Sequence, residues 1–88
     1  MTYKLTFLIQ NKLFMIVIDG NNIFYNDKIS GVQQLYPTPS ARALKAFGPP
    51  TKEEKEEYDM CKTEEELKSF VLKDTRKMGA RLVKEDKG

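Results

Sequence analysis

The sequence predicts a single small α+β domain: an N-terminal antiparallel β-meander of three to four strands, then two to three helices, then a short closing strand. Three observations point there. Up to residue 36, apolar residues alternate or run in short β-branched and aromatic stretches between polar turns. From residue 40 the apolar spacing becomes helical and Ser or Thr stands where each helix would start. The length of 88 residues allows one core and no second.

The elements follow in order. Residues 3 to 9 place Tyr3, Leu5, Phe7 and Ile9 on one face, and residues 13 to 18 are rich in β-branched and aromatic side chains, so both segments read as strands. Gln10-Asn11-Lys12 is a short polar connection suited to a hairpin. Asp19-Gly20-Asn21-Asn22 contains Asp-Gly between apolar runs, a strong hairpin signal. Ile23 to Tyr25 reads as a third strand. Asn26 to Lys28 with Ser30-Gly31 marks a turn, and Val32 to Tyr36 reads as a short fourth strand stopped by Pro37. The β-meander thus spans residues 1–36.

The helical part spans residues 40–78. Ser40 is suited to cap a helix from Ala41 to Phe47, with Gly48 just past its end and Pro49-Pro50 preventing continuation. Thr51 with Glu54 and Thr63 with Glu66 have capping-box spacing and open helices over about 52–60 and 64–78. The longer helix aligns Leu67, Phe70, Val71 and Met78 on one face. Gly79 stops it. Residues 80–84 are a candidate closing strand and residues 85–88 are expected to fray. Phe7, Phe14, Phe24, Phe47 and Phe70 are the expected core aromatics, with Tyr3 and Tyr25 near the sheet edges.

Composition excludes several chemistries. The chain has no His, which removes Ser-His-Asp and Cys-His catalysis and His-based metal sites. A single cysteine, Cys61, makes neither an internal disulfide nor a zinc site. It stands among acids, which disfavours a thiolate. The longest unbroken apolar run, Leu13 to Ile18, is far short of the ~20 residues of a membrane helix. The expectation is a cytoplasmic protein with no membrane contact, no cofactor and no enzymatic activity.

The weak net charge of +2 hides opposed blocks. Residues 52–66 are strongly acidic and residues 67–84 strongly basic. Such blocks are suited to solvated helix faces, to helix dipoles, or to a charged partner. A nucleic-acid-binding accessory protein is the alternative function, with Lys68, Lys73, Arg76, Lys77 and Arg81 as its phosphate contacts.

The segment from Met15 to Tyr25, an apolar strand ending in Asp-Gly-Asn-Asn, resembles the opening of PIN-like and NYN-type nucleases and of flap-endonuclease relatives. The resemblance covers about a dozen residues. It implies a parallel sheet, a divalent metal held by Asp19, and a loop oriented by Asn21 or Asn22. Those families need further acids at later strand ends. Here Asp27 is the only other early acid, and the later ones fall on predicted helices.

The second strand is apolar on both faces, Leu13, Met15 and Val17 on one and Phe14, Ile16 and Ile18 on the other. A lone sheet of this size buries one face. The second face requires helices on both sides or another subunit. The preferred expectation is therefore a non-catalytic protein-protein interaction module, a small regulator or inhibitor that also homo-oligomerises. A phage- or mobile-element-encoded inhibitor of a host protein is one instance. Phe14, Ile16, Ile18 and Tyr25 are the candidate partner contacts.

Overall fold

The computed structural model describes residues 2–27 and 31–88. Among them are β1 (Thr2–Ile9), β2 (Lys12–Asp19), β3 (Asn22–Asp27), β4 (Gly31–Tyr36), α1 (Ala41–Phe47), α2 (Lys52–Met60), α3 (Glu64–Lys77) and β5 (Arg81–Lys87). The strands form one antiparallel sheet in the order β4-β3-β2-β1-β5. The first four cross the sheet as a meander, and β5 returns from the helices to the free edge of β1. The α+β class, the meander and the closing strand are as expected. Of the turn expected over Asn26 to Lys28 with Ser30-Gly31, residues 28–30 lie outside the described residues, while Asn26 and Asp27 end β3 and Gly31 opens β4.

Turn geometry sets the register. Gln10 and Asn11 both adopt positive φ, 49° and 64°, the pattern of a two-residue I′ turn that matches strand twist. Gly20 has φ 61° at the first central position of the next turn, the II′ pattern, which glycine adopts without steric cost. These turns pair Tyr3, Leu5 and Phe7 with Ile18, Ile16 and Phe14. All six side chains then share one face, and all six are buried. Phe7 and Phe14 stack with ring centroids 5.4 Å apart.

Every helix packs on that face. Leu67, Phe70 and Val71 of α3 join the core, and Tyr36 stacks on Tyr58 of α2 at 4.8 Å. Thr75 takes the buried place expected for Met78. Its hydroxyl donates to the carbonyl of Val71 at 2.9 Å, which satisfies it inside the helix. Met78, in the C-cap position, is 45% exposed. Three of the five phenylalanines are core residues: Phe7, Phe14 and Phe70. Phe24 lies on the opposite sheet face and Phe47 on the helix side at 39% exposure, while Tyr3 and Tyr36 are buried in their stead.

The C-terminus departs from its expected fraying. β5 runs to Lys87, its residues Glu85, Asp86 and Lys87 opposite Leu5, Lys4 and Tyr3. Gly88 and Thr2 then exchange backbone hydrogen bonds of 2.9 Å in both directions. The edge of β1 supplies partners that the charged letters of this segment do not announce. Lys68 of α3 clamps Glu85 at 2.6 Å, and Lys87 reaches Glu65 at 3.4 Å. Both ammonium groups lie just over 5 Å from the Tyr3 ring, at 5.3 and 5.2 Å, within cation–π range. The Tyr3 hydroxyl donates to Glu65.

Candidate functional site

α1 and α3 do not close over the sheet. Ser40 fixes the start of α1: its N–H donates to the carbonyl of Gln34 at 2.9 Å, and its hydroxyl accepts from Ala43 N–H at 3.1 Å. Gly48 ends the helix with φ 76° and donates to the carbonyl of Leu44. Pro49 and Pro50 then carry the chain to the capping box of Thr51 and Glu54, which opens α2. This path leaves a cleft of about 650 Å³ between α1, the 48–51 linker and the C-terminal turn of α3. A bulge in β4 opposite Ile23 and Phe24 brings both Leu35 and Tyr36 to its floor, beside Phe14 and Ile16.

The cleft is apolar along most of its length and acidic at one end, where Glu53, Glu54 and Asp74 meet Lys77. Burial pushes the Asp74 carboxyl up to about 7, reinforced by its hydrogen bond to Glu54 and by the charges of Glu54 and Glu57; Lys77 opposes the shift. Glu54 is held below its ordinary value, first by the hydrogen bond from Asp74 and then by the N–H of Thr51. Of the two neighbouring carboxyl groups, Asp74 is the one that burial holds protonated towards neutral pH, and Glu54 ionises first. Burial and the nearby Glu54, Asp74 and Glu57 also raise the Tyr36 phenol. The pair can hold a cation or pass a proton.

The second feature is the bare face of the sheet. Leu13, Met15 and Val17 of β2, Leu8 of β1, Phe24 of β3 and Val32 of β4 form its apolar centre. Leu13 is 61% and Val32 62% exposed. Along one side run Lys4, Arg81 and Lys84, with Asp86 as their acidic neighbour. Lys84 lies 3.8 Å from Asp86.

Of the sequence-derived apolar candidates, only Phe14 and Ile16 border the cleft, and none lies on the bare face. Phe14, Ile16 and Ile18 belong to the helix-covered core, and Tyr25 packs against Phe14 at 5.8 Å and Phe47 at 4.8 Å. They are intramolecular contacts, and the accessible apolar face is the opposite one. Of the basic residues, Lys68 turns to β5 and Lys73 turns to Glu57 of α2 at 3.3 Å, on opposite flanks of α3. Arg76 and Lys77 are exposed at the end of α3, and Arg81 stands on β5 opposite Leu8. Lys73 and Lys77 lie together beside Asp74, away from Lys68 on the other flank of the helix.

Asp19 closes the β2–β3 hairpin opposite Asn22. β2 runs antiparallel to both its neighbours, so the parallel strand end implied by the nuclease resemblance is not met. The turn instead docks on the helices: Gly20 N–H donates to Glu64 at 3.3 Å, and the Tyr58 hydroxyl donates to the Asn21 carbonyl. Among the described residues no three His, Cys, Asp or Glu side chains converge to hold a metal. The Cys61 thiol donates to the carbonyl of Glu57, and burial with the charges of Glu66 and Glu57 pushes its pKa up. No helix among the described residues is long and apolar enough to cross a membrane.

Sequence reasoning missed the cleft and its carboxyl pair. Glu54 reads as a capping residue and Asp74 as the one acid of a basic block. That lone acid in the basic C-terminal half of α3 was the available signal. Comparison with family models, with curated proteins and with solved structures finds no match.

Proposed function

We propose that this chain is a non-catalytic protein-interaction module that docks a protein partner on the bare face of its sheet. The observation that carries the reading is the one-sided packing of the helices. Among the described residues α1, α2 and α3 cover a single face, while the other carries six large apolar side chains, Leu13 and Val32 exposed and Leu8, Met15, Val17 and Phe24 half-buried. Exposed apolar surface rimmed by polar groups is the usual mark of an interaction site. The rim of Lys4, Arg81 and Lys84 favours a partner that is apolar at its centre and acidic at its edge. As a regulator, the module would act by occupying its partner's surface.

The test substitutes Leu13→Lys and Val32→Lys together, both on exposed positions so that the fold is kept. Light scattering of the purified chain against concentration, and capture experiments with the tagged chain, are run for both proteins. The reading expects a complex that the wild type forms and the variant does not, with α2 variants such as Glu56→Lys unaffected. A mass that is a multiple of the monomer would make the partner a second copy. Complexes that survive the double substitution would overturn the reading.

A further inference from the structure

We propose that the cleft between α1 and α3 is a binding site for a small organic amine, its apolar body seated on Phe14, Ile16 and Leu35 and its ammonium group directed to Glu54 and Asp74. This site is separate from the bare sheet face and does not depend on the proposed docking there.

Size and lining come first. A volume of about 650 Å³ lies within the range of small-molecule sites, and the mixture of an apolar wall with few convergent polar groups is their usual composition. Two large side chains that line it, Phe47 and Met78, are 39% and 45% exposed. An apolar ligand body would cover both.

Charge selects the ligand's head. α1 contributes Ala43, Ala46 and Phe47 to the wall and no charged group. The linker and α2 contribute Thr51, Glu53 and Glu54, with Glu57 behind them; α3 contributes Asp74 and Lys77, with Lys73 behind; β4 contributes the Tyr36 phenol. Carboxylates outnumber ammonium groups at this end, so an anion is repelled and a neutral group gains nothing over water. A cation can replace the proton now shared between Asp74 and Glu54. With the shared proton gone, both carboxylates face the ammonium and accept charge-assisted hydrogen bonds from it.

Amine binding should therefore release a proton. An ordinary alkylamine stays protonated up to about pH 9, as a lysine does. Asp74, poised near pH 7, is the group that must ionise. Affinity should rise about tenfold between pH 6 and pH 8, since the ionised fraction of such a group grows by that factor.

The probe is phenethylamine, with 2-phenylethanol as the neutral control and phenylacetate as the anionic one. Binding is followed by amide chemical-shift changes in the intact chain and by calorimetry in buffers of different ionisation heat. The expected result is millimolar or tighter amine binding with shifts at Leu35, Ala43, Phe47 and Met78, no comparable binding of either control, and proton release that is largest below pH 7. Asp74→Asn should weaken binding at least tenfold and abolish its pH dependence. Glu54→Gln, which keeps the capping geometry, should weaken it with α2 still folded. Equal binding of the alcohol, shifts spread over surface acids instead of the cleft, or unchanged binding by Asp74→Asn would each overturn the proposal, as would no binding of the amine at 10 mM, roughly the weakest affinity useful for such a site.

Discussion

Asp74 on α3 and Glu54 on α2 meet at the acidic end of the cleft, and their carboxyl groups titrate as a pair, Asp74 raised and Glu54 lowered. The folded Asp74 titrates at about 7, against an ordinary 3.8. The folded chain thus holds a proton that the unfolded chain has already lost. Stability from this group is fully present below about pH 4 and is lost as pH rises through 7. Glu54, shifted the other way, adds stability above its ordinary value of 4.5 that is lost as pH falls through its lowered folded pKa. Between pH 5 and 7.5 the Asp74 term governs, and the chain has no histidine to obscure it. The melting temperature should fall across this window. Asp74→Asn, whose amide can still donate to Glu54, should flatten the slope. Circular-dichroism melts at constant ionic strength measure both, and parallel slopes would refute the shared proton.

The first hairpin is strained where the second is not. Gln10 and Asn11 take positive φ without being glycine, whereas Gly20 meets the same demand freely. Replacing Gln10-Asn11 by Asn-Gly, the pair most suited to a I′ turn, should stabilise the chain by roughly 0.5–1 kcal/mol. Urea denaturation reads this directly. No gain would mean that the turn relaxes in solution.

Much of this fold is legible from local chemistry. The capping pairs Thr51–Glu54 and Thr63–Glu66 form as their spacing demands, and Asp-Gly makes a hairpin. What local chemistry could not decide was which face of β2 the helices cover. Period-two alternation makes Phe14, Ile16 and Ile18 one set and Leu13, Met15 and Val17 the other, and both are apolar. The choice depends on where α1 and α3 dock, which is set by long-range contacts. The cleft was hidden for the same reason: Glu54 and Asp74 lie on different helices and meet only after packing. β5 was obscured by its own charges. They read as a solvated tail until Lys68 and Glu65 are seen beside it.

The contact between Lys68 and Glu85 should be modest but measurable. The side chains are 21% and 35% exposed, and the pair joins α3 to the last strand. Glu85→Gln should cost about 0.5–1 kcal/mol at low salt, and less as salt screens the pair. The accompanying readout is hydrogen exchange: the amides of β5 should lose protection while those of β2 keep theirs. Unchanged exchange at β5 would show that backbone pairing with β1 alone holds the C-terminus.

Two leucines on opposite faces of the sheet give the sharpest comparison. Leu5 has no exposed surface and lies at the centre of the core, while Leu13 is 61% exposed on the bare face. Leu5→Ala should cost about 2–5 kcal/mol through lost burial and a residual cavity. That is a large part of the stability of a small domain, roughly 5–15 kcal/mol. The chemically identical Leu13→Ala should cost under about 1 kcal/mol in a monomer, because water already surrounds the side chain. The measurement is denaturant unfolding of both variants at two protein concentrations. A small, concentration-independent effect at Leu13 means that this face is open and awaits a different protein. A larger effect that grows with protein concentration means that a second copy covers it, because association stabilises the folded state by mass action. A large effect independent of concentration would instead place Leu13 against another part of its own chain and remove the basis for docking on this face.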